Sequence, residues 1–307
     1  MITLLAGGVG GARLLRGLAR VVPHAELTVI VNTGDDDEFY GLNVSPDLDT
    51  IIYTLADMAP LERGWGIDGD TFRVREELDR LTGKGWFALG DRDIATHVFR
   101  TSRLRDGAKL TEVTAEICKA RGINVRVLPM TDHRVRTEVL SDRGILAFQD
   151  YLVRLRAEPK VKSVRYRGAR RAAAAAGVIE SIDNSALVII APSNPFVSIG
   201  PILALPGVKP ALTRARDRVV AVSPLIAGHA VKGPLADMLS TMGRDRDGVA
   251  IADFYKGLAT RLVVAPGDRP RQAAGGLMEY IEHDILLLEP RRAERLAKFL
   301  CALAVTH

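Results

Sequence analysis

The first 36 residues constrain the fold of this chain more than any other segment. Residues 1–22, "MITLLAGGVGGARLLRGLARVV", have the pattern of a buried strand, a glycine-rich turn and a helix. Residues 25–36, "AELTVIVNTGDD", have the pattern of a second buried strand that ends in a polar loop. A helix between two neighbouring strands is typical of a parallel pair, and the crossover is almost always right-handed. The opening therefore predicts a β-α-β unit within a parallel sheet.

Similar apolar runs return in the last third of the chain. They are "ALVIIAPSNP", "RVVAVSPLI", "RLVVA" and "HDILLLEP", and helical segments separate them. Continuous apolar runs of this length are typical of strands buried on both faces. We therefore predict an α/β fold, Rossmann-like, with a mainly parallel sheet and helices on both faces. Residues 1–47 and 178–307 would form the nucleotide-binding core, and residues 48–177 an inserted α+β region.

The composition of the 307-residue chain narrows the function classes. The net charge of +5 is compatible with an anionic substrate, and 5% aromatic residues are too few for a nucleic-acid stacking surface. Two cysteines, Cys118 and Cys301, are too few for a disulfide framework or a four-cysteine metal site. No apolar run approaches membrane-spanning length. We expect a cytoplasmic protein with neither a membrane nor a nucleic acid as partner.

The glycine-rich turn, "AGGVGGAR" at residues 6–13, is a candidate phosphate site. Backbone N–H groups of such a turn and of a helix N-terminus favour anions. No Gly-Lys-Ser/Thr follows, so this is not a P-loop. Gly8 and Gly10 match a dinucleotide-binding motif, but its third glycine position is Arg13, which suits a phosphate or diphosphate. The alternative is that this segment is only a tight turn without a ligand. The position of the turn directly after the first strand favours the ligand-binding interpretation.

An acidic stretch, "VNTGDDDEFYGLNVSPDLDT", follows the second predicted strand at residues 31–50. Loops beyond the carboxyl ends of parallel strands bind ligands, and clustered carboxylates with substrate phosphates suit Mg²⁺. Asp37 and Glu38 are expected to face solvent. "SPDLDT" also has the pattern of a helix start, so Asp47 or Asp49 has capping as an alternative role.

Polar side chains at three later positions are further candidates. In "LGDRDIATH", residues 89–97, the Asp-Arg-Asp triplet is either a salt-bridged helix start or places Arg92 at a phosphate, and His97 is interpreted as structural. Ser193 and Asn194 follow the most apolar predicted strand, where they can contact a base, a ribose or a phosphate. His229 and Lys232, after the next strand, are possible anion contacts.

These motifs occur together and in order in one known family. "AGGVGGAR", "NTGDD", "SPDLDT", "RGWGIDGDTF", "LGDRDIATH", "LPMTD", "FQDY", "APSNPFVSIGPILALPG" and "AVSPLI" resemble the 2-phospho-L-lactate transferase family of coenzyme F-420 biosynthesis, from Ile2 to about Leu286. The resemblance implies transfer of a phospholactyl or phosphoenolpyruvyl group from a guanosine-diphosphate-linked donor to the deazaflavin FO (7,8-didemethyl-8-hydroxy-5-deazariboflavin). It also implies release of GMP, a requirement for Mg²⁺ and a homodimer.

The resemblance also assigns residues to each ligand. It implies that the guanosine diphosphate part contacts Gly7, Gly8, Gly10, Gly11, Arg13, Ser193 and Asn194. It implies that Mg²⁺ and the ribityl end of FO contact Asp35, Asp36 and Asp49. The FO side includes Thr50, Ala88, Asp91 and Arg92, although some relatives carry a charged residue in place of Ala88, so any contact there is through backbone. Asp49, with Asp47, is the candidate catalytic base for the FO hydroxyl.

Two other classes of function remain as alternatives. A nucleotide-sugar-binding regulatory protein of the related gluconeogenesis-factor type would need the glycine-rich turn and the Ser-Asn pair, but not "PDLDT", "RGWG" and "LGDRD" together. An NAD-dependent oxidoreductase is disfavoured by Arg13. The three-carbon acid of the donor stays open between phospholactate, phosphoenolpyruvate and phosphoglycerate, because these acids differ by only a few atoms.

Overall fold

The structure, a computed structural model, describes residues 1–83, 86–270 and 278–304. The strands are β1 Ile2–Ala6, β2 Leu27–Val31, β3 Asp37–Phe39, β4 Leu42–Val44, β5 Arg126–Pro129, β6 Arg136–Ser141, β7 Gly144–Ala147, β8 Val161–Arg167, β9 Leu187–Ile190, β10 Val219–Val222, β11 Leu225–Ile226, β12 His229–Ala230, β13 Arg261–Val264 and β14 Glu279–Glu282. The α-helices are α1 Gly8–Val21, α2 Pro46–Leu55, α3 Arg73–Thr82, α4 Asp91–Arg105, α5 Leu110–Ala120, α6 Val178–Asn184, α7 Gly200–Leu203, α8 Val208–Arg214, α9 Leu235–Thr241, α10 Gly248–Phe254 and α11 Pro290–Ala302.

A seven-stranded sheet forms the centre of the fold, in the order β14-β13-β10-β9-β1-β2-β5. Every neighbouring pair in it is parallel. Strands β2, β9, β10 and β13 are buried along their whole length, because helices cover the sheet on both sides. The predicted α/β class, with a parallel sheet between two layers of helices, is confirmed.

Two apolar layers hold the helices against this sheet. One layer joins the strands to α1, α2, α5 and α11. The other joins them to α6, α8, α9 and α10. Within the first layer α1 and α11 cross closely at Gly17, where a Cβ atom would lie 2.3 Å from the carbonyl oxygen of Ala293. Glycine is therefore required there for close helix packing.

Residues 48–177 contribute to both the central sheet and its surroundings. Strand β5, which lies within this range, is the edge strand next to β2. The same range supplies the antiparallel sheet β7-β6-β8 and the helices α3 to α5. The division into a core and an inserted region stays a prediction, but the boundary at residue 48 does not separate the central sheet from the rest of the chain.

Two local predictions differ from the structure. The run "HDILLLEP" was predicted as a strand, but the last strand of the sheet is Glu279–Glu282. Only the first residue of the run extends the pairing, because the His283 backbone N–H donates to the Val264 carbonyl at 3.0 Å, and the rest of the run is assigned to no strand. Ile285 and Leu287 are buried without a strand partner, so their hydrophobicity reflects packing rather than sheet pairing. The acidic stretch, expected to be a loop, contains the short hairpin of β3 and β4.

Among the described residues, no single helix has both the length and the apolar character needed to cross a membrane. One bent pair, Pro195–Leu203 with Val208–Arg214 at 90°, meets the requirement by length and composition alone.

Candidate functional site

A cavity of about 610 Å³ lies at the carboxyl ends of the central strands. The glycine-rich turn, α2, the start of α4 and the segments after β9 and β10 surround it. Most of the residues predicted for the site line this cavity, namely Gly7, Gly8, Gly10, Arg13, Asp35, Asp47, Asp49, Thr50, Ala88, Ser193 and Asn194. Gly11, Asp36, Asp91 and Arg92 do not line it. The sheet edge thus brings together residues that are far apart in sequence.

The glycine-rich turn is compressed against the segment that follows β9. A Cβ atom on Gly10 would lie 2.3 Å from the carbonyl oxygen of Pro192, and one on Gly11 would lie 2.8 Å from the Cβ of Ala6. Gly8 has a φ of +63°, which favours glycine. The turn can therefore present its N–H groups at the start of α1 only because it lacks side chains here.

Replacing Gly10 with alanine is expected to lower the free energy of unfolding by ~2–4 kcal/mol, because the new methyl group would overlap the Pro192 carbonyl. Urea unfolding of the purified variant would measure the change. Gly248→Ala is the matched control, since a Cβ atom there meets its nearest neighbour at an ordinary 3.5 Å. Equal stability of the two variants would contradict the close approach described here.

Ser193 and Asn194 have internal partners as well as a place in the cavity wall. The Ser193 hydroxyl donates to the Gly7 carbonyl at 2.7 Å and so braces the glycine-rich turn. The Asn194 Oδ1 accepts from the N–H groups of Phe196 at 2.9 Å and Val197 at 3.4 Å, which caps the following helical turn. Their predicted contacts with a nucleotide stay a prediction, and the structure gives both residues a positioning role.

Asp47 faces the glycine-rich turn from the first turn of α2. Its carboxylate accepts from the Asn32 Nδ2 at 2.9 Å and from the backbone N–H of Gly8. Burial raises the pKa of Asp47 to about 6, against the lowering effect of these hydrogen bonds. Asp35 is also buried, and burial together with the charge of Asp47 raises its pKa well above the ordinary value. Asp35 and Asp47 are thus two buried carboxyl groups beside the glycine-rich turn whose negative charges are only partly stabilised by hydrogen bonds.

Asp36, the next residue after Asp35, does not line the cavity. Its Oδ2 accepts from the Ser45 hydroxyl at 2.7 Å, and burial raises its pKa to about 8. The residue as a whole is only partly covered, but its Oδ1 is buried, as is the Oδ1 of Asp35, and neither atom has a hydrogen-bond partner among the described residues. Buried carboxylate oxygens without partners are what a bound divalent cation would satisfy.

Replacing Asp36 with asparagine is expected to raise the free energy of unfolding by ~1–3 kcal/mol at neutral pH. The native carboxyl titrates at about 8 and the unfolded one near 3.8, so native stability falls as pH rises between these values. Asparagine is neutral in both states, hence the gain should vanish near pH 4. Urea unfolding in EDTA at both pH values would measure it, with the exposed Asp245→Asn as control. Lower stability of the variant at neutral pH would contradict the burial of a protonated carboxyl.

Asp49 lies one helical turn from the start of α2 and is paired with a buried cation. Arg100 from α4 donates to both of its oxygens, at 3.1 Å to Oδ2 and in a short contact to Oδ1. Arg100 is only 1% exposed, so its charge is desolvated, while Asp49 also reaches the cavity wall. Both aspartates lie in the first turn of α2, where their negative charge complements the helix dipole, as the capping alternative expected. No side chain caps α2 at Ser45, and the Asp47 and Asp49 carboxylates are directed at partners outside their own helix.

His97 links this pair to a second carboxylate. Arg100 lies 3.3 Å from the His97 Nδ1, and because a guanidinium can only donate, Nδ1 is the acceptor. The other ring nitrogen, Nε2, lies 3.2 Å from Asp93 Oδ1. Tyr53 donates to the same Asp93 oxygen at 2.6 Å. Burial alone would raise the pKa of Asp93, but the contacts with His97 and Tyr53 outweigh it and hold that pKa below its usual value.

This network was largely missed from the sequence. His97 was interpreted as structural, whereas it lines the cavity together with Tyr53 and Asp93. The available signal was helical spacing, since Asp93 and His97 are four residues apart and Arg100 follows three later. One ligand atom from each of Asp49, Asp93 and His97 lies within 4.8 Å of the others, which is a possible metal arrangement. The guanidinium of Arg100 against Asp49 and His97 opposes a cation there.

Asp91 and Arg92 hold helices together rather than line the cavity. Asp91 accepts from the backbone N–H groups of Arg73 and Val74 at the start of α3. In return, Asp70 accepts from the N–H groups of Arg92 and Asp93 at the start of α4. The Arg92 side chain donates to the Asp68 carbonyl. Of this segment, only Ala88, Asp93 and His97, with Phe87, reach the cavity wall, so the predicted FO contacts of Asp91 and Arg92 gain no support.

Comparison with known proteins places this architecture. The model of the family described as 2-phospho-L-lactate transferase CofD matches residues 2–288. A phosphoenolpyruvate transferase of Streptomyces griseus is 44% identical over 259 residues, which cover 83% of this chain and 81% of that protein. A 2-phospho-L-lactate transferase of Methanosarcina acetivorans is 37% identical over 302 residues, which cover 98% of each chain. A crystal structure of a UPF0052 family member from Bacillus halodurans aligns with a TM-score of 0.61 at 17% identity, over 97% of this chain and 99% of its own, and shows the fold alone.

Proposed function

Because the chain belongs to the 2-phospho-L-lactate transferase CofD family, we propose that it moves a phosphate-linked three-carbon acid from a guanosine-diphosphate-linked donor to the deazaflavin FO and releases GMP. As a family member it is a transferase related to coenzyme F-420 biosynthesis. Phospholactate, phosphoenolpyruvate and phosphoglycerate are the candidate acids. A homodimer and a cytoplasmic location are part of the same proposal.

The observation that supports this function best is the composition of one continuous cavity. The glycine-rich turn and the start of α1 form one side, where N–H groups favour a phosphate. Asp47 and Asp49 from α2 line the same cavity, and Asp47 lies directly against the turn. Transfer of a phosphoryl-type group needs positioning and charge neutralisation more than covalent catalysis. The glycine-rich turn and the buried carboxylates in one cavity meet that need for an anionic donor, a divalent cation and a hydroxyl acceptor.

In this proposal Mg²⁺ is held by Asp35 and Asp47. Both line the cavity, Asp35 has a buried oxygen without a partner, and Asp47 lies against the phosphate turn. Asp36 is bonded to Ser45 outside the cavity, and Asp49 is paired with Arg100, so these two suit the role less well than their sequence positions indicated. When bound, Mg²⁺ would neutralise charge on the diphosphate.

Asp49 would serve the acceptor. A ribityl hydroxyl of FO attacks the phosphorus that bears the three-carbon acid, a new phosphorus–oxygen bond forms, and the bond to the phosphate oxygen of GMP breaks. Asp49 accepts the hydrogen bond of that hydroxyl and receives its proton. Arg100 donates to both Asp49 oxygens and so fixes the orientation of this carboxylate. The main contribution of Asp49 to catalysis is therefore to orient the FO hydroxyl, which suits a transfer with little need for a strong base.

The test is a reaction of purified protein with FO, Mg²⁺ and each guanosine-diphosphate-linked acid in separate assays. Mass spectrometry is expected to detect FO joined through a phosphodiester to one preferred acid, with GMP in equal amount. Ligand-induced stabilisation gives an independent measurement, since a ligand that binds only the native state raises the unfolding midpoint. FO and GDP should raise it, and a UDP-sugar or NAD should not. Stabilisation by a UDP-sugar without any transfer would select the regulatory alternative.

A further inference from the structure

The cavity wall also contains two basic side chains. Arg13 on α1 and Lys232 after β12 both line it. The Arg13 Nη2 donates to the carbonyls of Leu61 at 3.3 Å and Glu62 at 3.1 Å, and the Lys232 Nζ donates to the carbonyl of Arg63. Two cations from distant elements thus hold neighbouring residues of one segment, which we call the 61–67 loop.

The 61–67 loop packs directly against the glycine-rich turn. A Cβ atom on Gly64 would lie 2.5 Å from the Cγ1 of Val9, which is part of that turn. Arg63 adds a third positive charge beside the first two, and its own side chain donates to the carbonyls of Trp65 at 2.9 Å and Ile67 at 3.3 Å. The positive charges of Arg13, Arg63 and Lys232 therefore lie near the end of the glycine-rich turn.

The charges of these side chains are not compensated. Within residues 1–83, 86–270 and 278–304, no acidic side chain forms a salt bridge with Arg13, Arg63 or Lys232. Their hydrogen bonds go to main-chain carbonyls, and Arg63 also lies over the Trp65 ring, 4.5 Å from its centroid. Burial, and then the charges of Arg13 and Arg63, lower the pKa of Lys232. Like charges held close together cost free energy unless an anion joins them.

The donors of these cations are also only partly used. A guanidinium has five N–H donors and an ammonium has three. Arg13 uses Nη2 alone in the bonds above, and Lys232 makes one bond. Both side chains line the cavity, so their remaining donors are available to a ligand that enters it.

We propose that Arg13 and Lys232, with Arg63 beside them, form an anion seat for a second anionic group of the donor, in addition to the phosphate at the glycine-rich turn. The proposal rests on the proposed function for the identity of the donor. The donor carries two phosphates and the carboxylate of its three-carbon acid. The turn takes one phosphate, and the seat takes either the other phosphate or the carboxylate. The carboxylate would make Lys232 a determinant of donor specificity.

Lys232→Met tests the seat, and Lys209→Met is the matched control, since Lys209 is exposed on α8 and outside the cavity. Calorimetry would give the Kd for GDP and GMP, and steady-state assays the KM for the preferred donor. A tenfold or larger rise in the Kd for GDP assigns the seat to a phosphate. An unchanged Kd for GDP with a tenfold or larger rise in the donor KM assigns it to the carboxylate. Values within twofold of wild type in both experiments would overturn the proposal.

Two further measurements separate the seat from other effects. If Lys232 only anchored the 61–67 loop, the difference between wild type and Lys232→Met would not depend on salt. A charge contact should weaken markedly between about 0.05 M and about 0.5 M salt, and Lys232→Arg should restore most of the affinity. A salt-independent difference would also overturn the proposal. Loss of GDP affinity in a protein that transfers nothing to FO would leave the seat intact and reject the proposed function instead.

Discussion

Asp49→Asn is expected to lower the rate of transfer to FO by about 10²–10³-fold, as is usual when a positioned carboxylate at a reacting hydroxyl is lost. The KM for the donor should change little, because the change lies on the acceptor side of the cavity. Steady-state kinetics with purified protein, FO, Mg²⁺ and the preferred donor would measure it. Near-normal turnover would remove Asp49 from the mechanism.

The Asp49→Asn substitution is expected to change both the stability of the protein and the rate of transfer. Asparagine leaves the charge of Arg100 buried without a carboxylate, so some loss of stability is expected in addition to the loss of rate. The double variant Asp49→Asn with Arg100→Met removes that buried charge. It should recover stability relative to Asp49→Asn, with no recovery of rate. Recovery of both would mean that Asp49 acts on activity only through folding.

Arg100→Met is expected to lower the free energy of unfolding by ~3–5 kcal/mol, the second large effect. The change leaves Asp49 buried without its cation and removes the contact with His97 Nδ1. It would also weaken the contact between α2 and α4, which the Tyr53–Asp93 hydrogen bond would still join. Chemical unfolding of the purified variant gives the magnitude.

The matched control for this variant is Arg103→Met on the same helix. Arg103 pairs with Glu116, but both side chains are more than a third exposed, so solvent screens this pair. The coupling between positions 49 and 100, obtained from the double-mutant cycle, should therefore exceed that between 103 and 116 several-fold. Similar coupling energies would contradict the desolvated environment assigned to Arg100.

The elements near both ends of the chain were predicted from local patterns. The β-α-β opening and the apolar runs at β9, β10 and β13 matched the structure because strand burial and helical spacing are properties of short segments. The run "HDILLLEP" failed because hydrophobicity specifies burial and not hydrogen-bond pairing. The place of β5 in the central sheet was not predicted either, since register and neighbour depend on how distant segments meet.

For the candidate site too, local features were predictable from the sequence and distant contacts were not. The glycine-rich turn and the carboxylates of the acidic stretch were found from residue type and position, and the order of the motifs was sufficient to indicate the family. The partners of those groups were not found. Asp49 meets Arg100 across 51 residues, and Lys232 meets Arg63 across 169. Asp91 accepts from a backbone N–H at the start of α3, and Asp70 accepts from one at the start of α4, a reciprocal capping that the motif did not reveal. The FO contacts of Asp91 and Arg92 stay a prediction.

The sequence by itself therefore determined which chemical groups this protein has, the parallel sheet that carries them and the family to which it belongs. The tertiary structure decided how each carboxylate is compensated: Asp47 by Asn32 and a backbone N–H, Asp49 by a buried guanidinium, and Asp35 only in part. The reason is physical. Periodicity and turn chemistry act over a few residues, whereas the free energy of a buried charge depends on whichever groups the packing of helices brings within a few ångströms of it.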